Sequence, residues 1–77
     1  MPKSLLLLGQ AIRIQRDQLG LSQEKLAERC GFDRTYISML ERGKRNPSLL
    51  NLLKLAKGLQ TSVSQLTEVC DGSNTSR

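Results

Sequence analysis

The stretch Ser22–Glu41, SQEKLAERCGFDRTYISMLE, decides the fold. Ser22 has the side chain of a helix cap, and Leu21 and Leu26 fall at the two positions of a hydrophobic staple around it. Leu26, Ala27 and Cys30 then line one side of a short helix, which Gly31 ends by supplying a left-handed residue. The device repeats at once. Phe32 precedes the cap Asp33, and Ile37 sits where a staple partner belongs. Only Gly31 and Phe32 separate the first helix from the cap of the second. Two short stapled helices joined by a glycine turn predict a helix-turn-helix over 22–42.

The second of these helices has two unlike sides. Counted from Asp33, Ile37, Leu40 and Glu41 share the inner side, whereas Arg34, Thr35, Ser38, Met39 and Arg42 lie on the outer one. The outer stripe carries chemistry that suits DNA. Arginine pairs bidentately with guanine, threonine offers a hydroxyl and a methyl, and serine is adaptable. The first turn of such a helix enters the major groove, so Arg34 and Thr35 lead the base-reading candidates, with Ser38 and Met39 behind them. An ordinary solvated face is the alternative, and the turn before the helix and the basic loop after it weigh against that. Lys44, Arg45 and Asn46 in that loop, with Arg42, suit the phosphate backbone and salt-dependent affinity. Tyr36 lies at the edge of the stripe, placed to stack, to meet a phosphate, or to lie over the core. Gln23, first in its helix, reads either as a phosphate clamp among orphan N–H groups or as a solvated surface residue.

Outward from this core, Ser4 is expected to cap a first helix over about 5–19 whose inner stripe is Leu5, Leu8, Ile12, Arg16 and Leu19, with Gly20 ending it. An arginine on that stripe and Glu41 on the apolar side of its own helix answer each other. Burying either alone would cost several kcal/mol, so a buried ion pair between them is expected, with an architectural role. Asn46-Pro47-Ser48 opens a fourth helix with Pro47 in its first turn, and Leu49, Leu52, Leu53, Ala56 and Leu59 form its stripe. Ser62 and Gln65 make a capping box for a fifth helix over about 62–70, carrying Val63, Leu66, Val69 and Cys70. No segment alternates with period two. The expectation is an all-α, five-helix domain over 1–70 with a polar tail, DGSNTSR, at 71–77.

The bulk numbers narrow the function. The net charge is +5, and four of the twelve Lys and Arg residues (Arg34, Arg42, Lys44 and Arg45) crowd into one helix and its loop, so the excess is local and points to a polyanion. Two widely spaced cysteines and no histidine leave no metal site, cofactor or Cys–His catalysis to propose, and no enzyme is expected. Leu5–Leu8 is too short for a signal sequence or a membrane span. The chain reads as cytoplasmic.

At this point the residues are recognisable. LGLSQEKLAERCGFDRTYISMLERGKRNPSLLNLLKLAKGL (19–59) resembles the lambda-repressor-like Cro/Xre family, with GLSQEKLA, the turn glycine and the pattern around ERGKRNPSL in register. The brevity of the chain is most like restriction–modification controller proteins, with phage or plasmid repressors and antitoxin-type interaction modules as rivals. The resemblance implies that Gln23 binds phosphate, that Arg34, Thr35, Ser38 and Met39 face bases, and that Arg16 and Glu41 form a structural bridge. It also implies a homodimer on palindromic double-stranded DNA, autoregulating its operon. Val63, Leu66 and Val69 are favoured for the dimer interface, within a wider apolar set that includes Leu50 and Leu55. Glu24 and Glu28, an acidic pair on the outer face of their helix, are either a solvated surface or, by the resemblance, a contact to RNA polymerase. Two departures stand out. Gln60 occupies the place of a usual glycine after the fourth helix, and Gln15 that of a usual apolar residue.

Overall fold

In the computed structural model, which describes residues 2–74, the chain is all-helical. It runs α1 (Lys3–Gln18), α2 (Gln23–Cys30), α3 (Arg34–Glu41), α4 (Leu49–Gly58) and α5 (Val63–Thr67), followed by a 3-10 segment, Glu68–Asn74. Residues 71–74 of the expected tail belong to that last segment, and residues 75–77 lie outside the described residues. Among the described residues, no helix is long and apolar enough to cross a membrane.

One core gathers a side chain or more from each α-helix. Leu8 and Ile12 of α1 meet Leu26, Ala27 and Cys30 of α2, Ile37 and Leu40 of α3, Leu55 of α4 and Leu66 of α5, with Leu59 just past α4. Burial pushes the Cys30 thiol pKa up, so it packs as a neutral apolar group. The glycines set the closest approaches. A Cβ on Gly9 would lie 2.5 Å from the carbonyl oxygens of Leu40 and Glu41, and one on Gly58 would lie 2.6 Å from Cys30 Sγ. α1 therefore crosses the end of α3 backbone against backbone, and α4 crosses α2 almost as closely.

The helix ends follow local chemistry in most places. Ser22 accepts from Lys25 N, Ser48 from Asn51 N, and Ser62 from Gln65 N, each at 3.0 to 3.1 Å. Gly20 and Gly43 take φ of 70° and 73°, and the two N–H groups that follow each helix bond back to its last turn. Gln60 adopts the same conformation at φ 58°, with Gln60 N–H on Lys57 O and Thr61 N–H on Ala56 O. The glutamine thus does a glycine's work after α4. Gln15, the other departure, donates from Nε2 to Leu59 O at 3.1 Å and satisfies a carbonyl at the end of α4.

Several expectations are corrected. α1 starts at Lys3 with Pro2 in the cap position, and Ser4 lies inside the first turn, where its carbonyl accepts from Cys70 Sγ. A proline without an N–H loses nothing at a helix start, so it precedes the first turn more readily than Ser4 can interrupt it. Pro47 lies outside α4, buried, and Ser48 is the cap. Asp33 holds the cap position of α3 with extended backbone but makes no side-chain cap bond. Gln65 turns its carbonyl oxygen to Thr61 Oγ1 at 2.9 Å instead of completing a capping box. The α4 stripe is rotated from the expected one: Leu55 is fully buried, whereas Leu49 and Leu53 are 65% and 51% exposed. Leucines surround most of this helix, so the pattern does not pick the inward side, which the structure marks by Leu55, Ala56 and Leu59 in the core and Gly58 against Cys30.

Candidate nucleic-acid interface

α3 presents its outer side as the sequence predicts. Ile37 and Leu40 are buried, Arg34, Thr35 and Arg42 are exposed, and Tyr36, Ser38 and Met39 are half-buried. Lys44, Arg45 and Asn46 follow in an exposed loop after the left-handed Gly43. Leu6 of α1 packs against that glycine, where a Cβ would lie 2.7 Å from Leu6 Cδ2, so the loop's starting point is fixed. Among the described residues, none of Arg34, Arg42, Lys44 and Arg45 has a carboxylate within ion-pair distance. Four cations in α3 and the loop after it, without a carboxylate partner, leave a positive field that attracts an external anion.

Arg45 does not wave freely. Its guanidinium lies 5.1 Å over the Tyr36 ring, and Nη1 approaches Met39 Sδ at 3.8 Å. Tyr36 in turn meets Phe32 edge to face, centroids 4.8 Å apart, and its hydroxyl accepts from Asn51 Nδ2 at 2.9 Å. Tyr36 is therefore braced from α4 and the turn, and its own hydroxyl proton is not spent on Asn51. These side chains, with Thr35, border a shallow groove beside the start of α3. Asn51 was invisible in the sequence, because a lone polar residue on a leucine-rich helix reads as its wet side.

Behind α3, Arg16 and Glu41 meet in a forked pair. Arg16 Nε donates to Glu41 Oε2 at 2.6 Å and Nη2 to Oε1 at 3.0 Å, while Nη1 donates to Leu21 O at 2.8 Å. The side chains are 12% and 5% exposed. The Glu41 hydrogen bond, reinforced by its charge and opposed by burial, raises the Arg16 pKa above its already high ordinary value. Gln23 joins the pair from α2, its Nε2 donating to Glu41 Oε1 at 3.1 Å. The residue expected as a free clamp is thus tethered on one side, and one carboxylate links α1, α2 and α3.

The remaining candidates fall elsewhere. Glu24 and Glu28 are exposed on α2, and Glu28 pairs with Lys25 at 3.3 Å. Leu66 is 3% exposed and belongs to the protomer's own core, as does Leu55. α5 is too short to keep a leucine for a partner and still close the core. Val63 is half-buried and Val69 is 45% exposed, while Leu49, Leu50 and Leu53 on α4 stand out at 51% to 70%. Sequence reasoning included Leu50 in the wider apolar set but assigned Leu49 and Leu53 to the inner stripe, for the same reason that it rotated that stripe.

A basic, donor-rich helix held on a short stapled helix defines a helix-turn-helix DNA-binding protein. Comparison with known proteins agrees. A helix-turn-helix family profile matches residues 12–66. The control protein C.BamHI of Bacillus amyloliquefaciens is 47% identical over 64 residues, spanning 82% of this chain and 79% of that protein. The crystal structure of the restriction–modification controller protein C.AhdI from Aeromonas hydrophila superimposes with a TM-score of 0.79 at 48% identity, covering 80% of this chain and 94% of the other. The controller protein C.Esp1396I, solved as a tetramer on its natural 35-base-pair operator, matches with a TM-score of 0.77 at 36% identity over 87% and 88% of the two chains. The chain belongs to the Cro/Xre-like helix-turn-helix family and within it is most like the restriction–modification controller proteins. It is a DNA-binding transcription regulator, not an enzyme.

Proposed function

We propose that the protein acts as a homodimer on a palindromic operator in the cytoplasm and autoregulates a restriction–modification operon. The observation that carries this is the α3 face, where Arg34 and Thr35 stand exposed at the helix start and Arg42, Lys44 and Arg45 follow its end, none of the four cations having a carboxylate within ion-pair distance among the described residues. Arg34, Thr35, Ser38 and Met39 read bases in the major groove, and Gln23, Tyr36, Arg42, Lys44, Arg45 and Asn46 hold the phosphate backbone. The relatives' description as controller proteins supports the choice of operon.

A single head of this size reads only a few base pairs, so two heads about 34 Å apart are needed for useful specificity. The exposed α4 face of Leu49, Leu50 and Leu53 is the main surface that joins them, with Val63 and Val69 as further members and Leu66 withdrawn to the core. Glu24 is the freer of the two acidic residues for a contact to RNA polymerase, since Glu28 shares its charge with Lys25.

Selection of bound duplexes from a random pool tests the reading. The expected outcome is a palindrome, with Arg34→Ala costing about 1–3 kcal/mol and relaxing preference at one position in each half-site. A uniform loss across all sequences would make Arg34 a backbone contact and remove the base-reading assignment.

A further inference from the structure

The proposed operator contact depends on Gln23, and Gln23 is not an independent residue. Its Nε2 donates to Glu41 Oε1 at 3.1 Å, the same oxygen that accepts from Arg16 Nη2 at 3.0 Å. The other Glu41 oxygen is taken by Arg16 Nε at 2.6 Å. Arg16 Nη1 meanwhile holds Leu21 O, the carbonyl just ahead of the cap of α2, at 2.8 Å. Both sides of the α2 N-terminus are therefore anchored to one guanidinium–carboxylate fork. A neutral primary amide has two N–H donors and one carbonyl acceptor. Only the N–H groups can meet a phosphate oxygen. A free glutamine would spend part of its time presenting the carbonyl, which repels that oxygen. The Glu41 carboxylate removes this ambiguity, because it accepts one N–H and would be repelled by the carbonyl.

We propose that Glu41 is a positioning residue for DNA binding: held by Arg16, it fixes the Gln23 amide so that the second N–H is presented to the phosphate backbone. Glu41 is also the last residue of α3. The backbone clamp on α2 and the base-reading helix are thus joined through one side chain, and the phosphate position sets the register of α3 on the base edges. This rests on the assignment of Gln23 to the backbone made above.

A double-mutant cycle on DNA affinity separates the two ideas, run well below the unfolding midpoint with the folded fraction checked by circular dichroism. Gln23→Met keeps length and the Arg16–Glu41 fork but removes the amide. It is expected to weaken binding about tenfold for each head engaged, on specific and non-specific duplexes alike, the worth of one hydrogen bond to a charged phosphate oxygen. The dependence of log affinity on log salt should keep its slope, because no cation is lost. Glu41→Gln should weaken binding by a similar factor in the wild-type background and have no further effect in the Gln23→Met background. Equal effects of Glu41→Gln in both backgrounds would overturn the positioning role while leaving the clamp intact. Unchanged affinity of Gln23→Met would remove the clamp and the positioning role together.

If Glu41→Gln does not fold, the side-chain amide of Gln23 in 15N-labelled wild-type protein decides. It should be as rigid as the backbone, with two distinct protons, only one of which shifts on adding a duplex of the selected operator. An amide as mobile as that of the exposed Gln18 would overturn the proposal.

Discussion

Arg16 and Glu41 are the two residues whose types conflict most with their surroundings, and they resolve the conflict on each other. A forked pair with side chains 12% and 5% exposed has surrendered much of its hydration, so removing one partner strands the other. Arg16→Met and Glu41→Ala should each cost about 3–5 kcal/mol in urea unfolding, a large fraction of the stability of so small a domain. Replacing both by apolar residues of similar volume should recover much of that loss, since the desolvation cost disappears with the charges. The raised Arg16 pKa means that the folded state holds this proton more tightly than the unfolded chain does. Its contribution is therefore fully present below the unfolded arginine pKa, across the whole neutral range, and is lost only in strong alkali. Gln60 is the opposite case, a residue at odds with its own backbone. At φ 58° a side chain other than glycine costs about 1 kcal/mol, so Gln60→Gly should leave stability unchanged or raise it by up to about 1 kcal/mol, whereas Gln60→Val should lower it. Thermal midpoints check this: that of Gln60→Val should fall, and that of Gln60→Gly should not.

At the scale of elements, the recognition helix is only eight residues long and would not persist alone in water. It exists because Ile37 and Leu40 are buried and because α1 lies against its end with no side chain between them at Gly9. Gly9→Ala pushes a methyl into two backbone carbonyls that cannot move aside. The expected result is a loss of about 1–3 kcal/mol, as for overpacking elsewhere, with weakened operator binding even at temperatures where the variant is folded. Wild-type affinity in a folded Gly9→Ala protein would show that the seat of α3 does not control its reach. α2 and α3 were legible in the sequence because caps, staples and turn glycines are local signals, each confined to about six residues. Gly9 was not legible. A glycine within an apolar run carries no mark of the helix that crosses it.

For the whole molecule, the question is where a second copy sits. Among the described residues, Leu49, Leu50 and Leu53 are three exposed leucines on one helix, whereas the other exposed large apolar residues, Leu6, Ile14 and Val69, are spread over other elements. Leu53→Glu places a charge in the centre of that face without touching the protomer's core. It should leave the fold intact and give monomers at micromolar concentration in sedimentation. Affinity for the palindrome should fall about 100-fold or more, while binding to an isolated half-site changes little, because linkage of two heads is what is lost. A Leu53→Glu dimer would move the interface to another face, with Val63 and Val69 next to test.

The sequence by itself determined that the protein is helical, that α2 and α3 meet across a glycine turn, and that a basic stripe beginning at Arg34 faces outward. Periodicity, caps and charge are written in neighbouring residues, so they need no knowledge of the rest of the chain. The pairing of Arg16 with Glu41 was also inferable, because two misplaced charges on apolar stripes have few ways to be satisfied. Only the tertiary structure decided which leucines of α4 turn inward, that Leu66 closes the core, and that Asn51 braces Tyr36. It also decided that Gln23 is bound to Glu41 rather than free. Each of these depends on which faces of distant helices come within contact distance, and a helix leucine-rich on nearly every side gives no local clue to its partner.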